Sequence, residues 1–115
     1  MVMAKDQVSF VDFAKLDLRV GTIVRVEVPE GSRTMYRLRV DLGEEIGERT
    51  IFAGIKEMYE PDDLVGKQAI FVVNLERKKI MGEESEGMIL AACETDDRPV
   101  LVVPVEKVKD GSVVR

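Results

Sequence analysis

Three consecutive cations, Arg77, Lys78 and Lys79, stand in the segment Asn74-Leu75-Glu76-Arg77-Lys78-Lys79-Ile80-Met81-Gly82. They follow an apolar run and precede two apolar residues and a glycine. Grouped cations bind phosphates, and Met81 beside them can pack on a sugar or a base. A solvated hairpin tip would have the same composition, so spacing alone leaves both readings open. Arg37 and Arg39, with Arg19 and Arg25, would extend a basic surface onto neighbouring strands. Glu27 and Asp41 lie close by in the sequence, which makes ordinary surface ion pairs an equal explanation. The acidic groups Glu83-Glu84-Ser85-Glu86 and Asp96-Asp97 lack regular ligand spacing and read as turns or solvated faces, so no metal site is expected. Residues 82–87 lack the strand, glycine-rich loop and helix of a phosphate loop.

Composition narrows the chemistry further. The chain has no histidine, which removes Ser-His-Asp and Cys-His catalysis and the usual imidazole-rich zinc site. Its one cysteine, Cys93, excludes an internal disulfide and reads as a small buried hydrophobe in Met88-Ile89-Leu90-Ala91-Ala92-Cys93. No catalytic residues and no cofactor are expected. With 17 basic and 22 acidic residues the net charge is −5, so any RNA site must be a local basic patch on an acidic molecule. Tyr36 and Tyr59 are the only tyrosines and tryptophan is absent, too few rings for a generic single-strand binder. A folded RNA recognised by shape and backbone is the more natural ligand.

The elements that must position these residues follow from periodicity. The 115 residues fit one domain, 1–115, with no linker or repeat. Residues 9–16 read as a short helix capped by Ser9, with Asp12 in capping-box position and Phe10, Phe13 and Ala14 on one face. Residues 18–28 alternate Val20, Thr22, Val24, Val26 and Val28 with Arg19, Gly21, Ile23, Arg25 and Glu27, a strand with one apolar face. Gly21 marks a bulge or bend in it. A second strand, 35–42, turns Tyr36, Leu38, Val40 and Leu42 inward. A third covers 49–55, and 60–66 carries the marks of a single-turn helix: Pro61 first, then acids, with Gly66 at the end. The continuously apolar run 68–75 predicts a strand buried on both sides. A charged loop at 76–84, a strand at 85–94, a turn, and a strand at 100–103 complete the pattern. The last residues, 104–115, carry a Gly111 turn and little core. Such an all-β pattern, with a helix between strands three and four, predicts an OB-fold five-stranded barrel over a β-sandwich. No 18-residue apolar stretch and no secretory leader stand in the sequence, which predicts a cytoplasmic protein without a membrane span.

The segment Phe13-Ala14-Lys15-Leu16-Asp17-Leu18-Arg19-Val20-Gly21-Thr22-Ile23 resembles the opening signature of the tRNA-binding domain family. Ala53-Gly54-Ile55, residues 59–66, residues 74–82, and Glu84-Ser85-Glu86-Gly87-Met88-Ile89-Leu90-Ala91-Ala92 are similar to its later motifs. The family takes in the C-terminal domain or β subunit of methionyl-tRNA synthetase, free-standing tRNA-binding proteins and a secretion-chaperone branch. The resemblance implies an OB fold whose N- and C-terminal extensions join two copies as a homodimer. It also implies non-catalytic binding at the outer corner of tRNA, in partnership with the catalytic subunit of methionyl-tRNA synthetase. Carried over by position, the contacts fall on Asn74, Lys78, Lys79, Met81, Ser85 and Met88, and Arg77 adds charge. The sequence departs from the family's pattern at Glu76-Arg77, where Lys-Pro is common, and at Val28-Pro29-Glu30-Gly31-Ser32-Arg33. A peptide-binding dimer like the chaperone branch is the alternative. Exposed apolar residues at Phe10, Val11 and 105–114 suit a dimer interface, so removing 105–115 is expected to give monomers. The Met1 start and compact ending favour a free-standing protein.

Overall fold

The computed structural model describes residues 3–115. The short helix α1 (Phe10–Phe13) leads into β1 (Leu18–Glu27), and β2 (Tyr36–Asp41) and β3 (Glu48–Ala53) continue a meander interrupted by the single turn α2 (Gly43–Ile46). Helix α3 (Pro61–Leu64) returns the chain to β4 (Gln68–Val72). Six short strands follow: β5 (Lys78–Ile80), β6 (Glu83–Ser85), β7 (Met88–Ile89), β8 (Ala91–Cys93), β9 (Pro99–Leu101) and β10 (Val113–Val114). The main sheet runs β3-β2-β1-β4-β7, with β10 added to β1 and every pairing antiparallel. The segment after β6 comes back to β3, where the Glu86 N–H donates to the Thr50 carbonyl at 2.8 Å. The sheet thereby curls into a nearly closed five-stranded antiparallel barrel of the OB type, with α3 between its third and fourth strands.

Burial explains the sequence pattern. Ile23, Leu38, Val40, Leu42, Ile51, Leu64 and Phe71 are fully buried and fill the barrel. Each such side chain contributes roughly 1.5–3 kcal/mol. Strand β4 is apolar from Ala69 onward because both of its faces are covered. Ala69 and Phe71 point into the barrel, while Ile70 and Val72 join Leu18 and Val20 in a second cluster, closed by Leu90 and Val114. Ser9 caps α1 as expected, accepting from the Asp12 N–H at 3.1 Å, and Pro61 opens α3.

Several expectations are corrected. The register of β1 against β2 shifts between Ile23 and Arg25. Val20 lies in the outer cluster and Ile23 in the barrel core, so before the shift it is the face of Ile23, not that of Val20, Thr22 and Val24, that fills the barrel, and Val24 is exposed. Gly21 is not the bulge. A Cβ there would stand 2.6 Å from Leu42 Cδ2 and 2.8 Å from Val40 Cγ1, so the glycine leaves room for these two side chains to pack against β1. The charged loop expected at 76–84 forms the β5–β6 hairpin, and the single strand expected at 85–94 divides among β6, β7 and β8 as the chain changes partners. Cys93 is exposed on the β8–β9 ribbon rather than buried.

The tail is more tightly built in than its sequence suggests. The Gly111 N–H donates to the Val20 carbonyl (2.7 Å) and the Val20 N–H to the Ser112 carbonyl (2.9 Å). Thr22 Oγ1 donates to Asp110 Oδ1 at 2.6 Å. The Gln68 amide both donates to the Val108 carbonyl (2.7 Å) and accepts from its N–H (3.1 Å).

Candidate nucleic-acid interface

The hairpin that carries the cations pairs Lys78 with Ser85, Lys79 with Glu84 and Ile80 with Glu83. Its two-residue turn is Met81-Gly82, with φ of 52° and 83°. Two positive φ angles are what a type I′ hairpin turn requires. Gly82 adopts this freely. Met81 does not: the left-handed region costs a residue with a Cβ about 1–2 kcal/mol, and Met81 is the only non-glycine with positive φ among the described residues. The half-exposed thioether is thereby held at the outermost point of the hairpin.

Side chains brace the hairpin at its base. Ser85 is buried, and its hydroxyl accepts from the Phe52 N–H (3.0 Å) while donating to the Gly87 carbonyl (3.2 Å). The Glu86 carboxylate accepts from the Thr50 N–H (2.9 Å) and from Arg77 Nη1 (2.7 Å). Arg49 Nη1 donates to the carbonyls of Val73 (2.7 Å) and Glu86 (3.0 Å), tying the entry of the excursion to its exit. Nearer the tip, Arg37 places Nε and Nη2 on the two oxygens of Glu83 at 2.8 and 2.7 Å. This pairing raises the Arg37 pKa above its usual value and lowers that of Glu83.

The expected site residues thus fall into three groups. Lys78, Lys79, Met81 and Met88 are exposed, and neither lysine forms an ion pair among the described residues, although Glu84 stands opposite Lys79 in the ladder. Asn74, Arg77 and Ser85 have partners within the protein. Asn74 Nδ2 donates to the Lys15 carbonyl (2.7 Å) and Oδ1 accepts from the Asp17 N–H (2.8 Å), stapling the segment before β1 to the end of β4. The accessory arginines are ion-paired: Arg37 with Glu27 and Glu83, Arg39 with Glu48 at 3.1 Å and with Thr50 Oγ1 at 2.8 Å. Of the readings open for Arg37 and Arg39, the surface ion pairs are the ones formed.

Both tyrosines are also used inside. Tyr36 donates to the Tyr59 carbonyl (2.6 Å), its ionisation pushed up by burial, and the Tyr59 hydroxyl accepts from the Leu101 N–H (3.2 Å). Among the described residues only Phe10 and Phe13 are exposed rings. Sequence reasoning missed Arg49, Glu83 and Glu86 as supports. The available signal was Met81-Gly82 between two short runs, which would have made 78–85 a hairpin and placed Glu83 and Ser85 on one face of it. Among the described residues no cluster of His, Cys, Asp or Glu could hold a metal ion, and no helix is long and apolar enough to cross a membrane.

A nearly closed antiparallel barrel with a braced, lysine-bearing hairpin between its last strands defines an OB-type module. The profile of the family described as "Putative tRNA binding domain" matches residues 18–113, and the chain belongs to that family. It is 46% identical over 110 residues to a methionine–tRNA ligase of Pyrococcus horikoshii and 44% identical over 110 residues to that of Methanococcoides burtonii. Each match takes in 96% of this chain but only 15% and 16% of those proteins, respectively. Among solved structures, a MetRS-related protein from Pyrococcus horikoshii is 37% identical with a TM-score of 0.86. The chaperone CsaA of Bacillus anthracis is 33% identical with a TM-score of 0.87. Both structural matches cover 96% of this chain and 100% of the other.

Proposed function

We propose that this chain binds folded tRNA at its outer corner through the β5–β6 hairpin, reading shape and backbone, and catalyses no reaction by itself. The observation that carries this is the pair of exposed lysines, Lys78 and Lys79, in no ion pair among the described residues, on a braced hairpin in a member of this family. The lysines take phosphates, Met81 and Met88 pack on sugars or bases, and Arg77 contributes charge while shared with Glu86. Asn74 and Ser85 serve the site by holding its frame. Apolar residues left uncovered on α1 and at Val102, Val103 and Val105 support a homodimer. The similarity to parts of methionine–tRNA ligases supports partnership with a methionyl-tRNA synthetase catalytic subunit. The module then acts by raising the local tRNA concentration.

The test compares binding of a folded tRNA and an unstructured RNA of equal length at two salt concentrations. The wild type prefers the tRNA, and its affinity falls with salt at a log–log slope of about −0.7 to −0.9 per phosphate contact. Lys78→Glu/Lys79→Glu loses that preference; an unaltered preference in the double variant removes the hairpin from the site.

A second reading, peptide binding, is favoured by the close structural match to solved CsaA chaperones. Competition decides between them. An unfolded polypeptide that displaces tRNA shares its site, whereas one that binds while tRNA does not makes the peptide reading the correct one.

A further inference from the structure

The hairpin lies across the outer face of β2 and β3. Phe52 and Thr50 stand in the outward register of β3, alternating with the core residue Ile51, yet both are buried. Their backbone N–H groups donate to Ser85 and Glu86 of the hairpin. Arg37 is the cross-strand partner of Phe52 and meets the other end of the hairpin. Its acceptor, Glu83, is the first residue after the Met81-Gly82 turn. The fork-on-carboxylate contact fixes direction as well as distance. Glu27, at the end of β1, holds the same guanidinium from the side. Arg25 also approaches Glu27, at 3.9 Å, so two carboxylates balance two cations at this point, and the group offers a phosphate no net positive charge.

We propose that Arg37 is a positioning residue of the tRNA interface: its grip on Glu83 sets the angle at which the hairpin presents Lys78, Lys79 and Met81, and it does not itself touch the RNA. The role rests on the tRNA-binding reading above. It makes a prediction opposite in sign to simple electrostatics. Glu83→Ala removes an acid beside two phosphate-binding lysines, and charge alone would tighten binding. Loss of the grip instead weakens tRNA binding about three- to ten-fold and narrows the preference over unstructured RNA.

Arg37→Gln gives the second readout. A phosphate contact, when removed, shrinks the log–log salt slope by about 0.7–0.9, whereas a positioning residue lowers affinity and leaves the slope unchanged. Amide hydrogen exchange across residues 78–85 of the RNA-free protein is the third, and quickens about three- to ten-fold in both variants. Where the wild type still prefers folded tRNA, tighter binding by Glu83→Ala, a smaller slope in Arg37→Gln, or exchange in the variants equal to that of the wild type each overturns the role alone. A wild type without that preference overturns the tRNA reading itself, and with it this role, whatever the exchange shows.

Discussion

At Met81 a stability cost and a proposed binding role fall on one residue. Its φ of 52° is a conformation that glycine adopts without strain, so Met81→Gly relieves about 1–2 kcal/mol of left-handed strain and adds back about 0.5–1 kcal/mol of backbone entropy. The variant is therefore expected to unfold at the same denaturant concentration as the wild type or slightly higher, while binding tRNA several-fold more weakly. Equal tRNA affinity in the two proteins would show that the thioether contributes no contact. Glu83 carries the second expectation at this scale. The Arg37 hydrogen bonds, reinforced by the nearby charges of Arg37 and Arg39, outweigh partial desolvation and hold its carboxyl below the ordinary value of 4.5. A carboxyl depressed by folding stabilises the folded hairpin above its unfolded pKa, and that contribution is lost as pH falls through the lowered folded value. A carbon-detected NMR titration should place the Glu83 midpoint below 4.5 in the wild type and return it upward in Arg37→Gln. Coincident midpoints would mean that the two side chains are not paired in solution.

Elements differ in how openly the sequence states them. Helix α1 was legible because Ser9 is a local signal, and α3 because Pro61 and Asp63 are: the Glu60 N–H donates to the Asp63 carboxylate at 3.1 Å. Strand β4 was legible because burial on both faces leaves an unbroken apolar run. Strand β1 was legible in extent and misleading in facing. The shift between Ile23 and Arg25 is caused by how β1 must bend to serve β4 with its first half and β2 with its second, a tertiary demand that leaves no composition signal. The hairpin was one of the readings left open for this segment, and its strands stayed unassigned because its turn uses Met-Gly where Asn-Gly would announce it. The lysines of the proposed site were visible from composition, and ion pairing of Arg37 with nearby Glu27 was among the readings the sequence left open, but the Arg37–Glu83 pair was not, since its partners lie 46 positions apart. Gly21 tests the account of β1. Gly21→Ala drives a methyl into Leu42 and Val40, flanked by the Asp41 carbonyl at 3.1 Å, and overpacking of this kind costs about 1–3 kcal/mol. Chemical denaturation should show that loss, and an unchanged midpoint would mean that β1 and β2 are farther apart than described.

At the scale of the whole molecule, the tail divides into two parts of different purpose. Residues 108–114 belong to this barrel: they pair with β1, satisfy Thr22 and Gln68, and place Val114 over the outer apolar cluster. Residues 103–107 arch away between these anchors and β9, with Val105 fully exposed. Removing 105–115 to make monomers would therefore also strip the barrel of its own closure, at a cost of about 3–5 kcal/mol from lost hydrogen bonds and apolar cover. A truncated chain that sediments as a monomer would not by itself identify an interface. Val103→Asp/Val105→Asp separates the two effects, because both side chains are exposed and neither contributes to the core. If the arch is the dimer contact, this double variant sediments as a monomer, keeps the wild-type circular dichroism and retains slow exchange at Val20 and Gly111. Truncation after residue 107 instead accelerates exchange at Val20, whatever its oligomeric state. A double variant that remains dimeric would shift the interface to α1, where Phe10, Val11 and Phe13 are left uncovered.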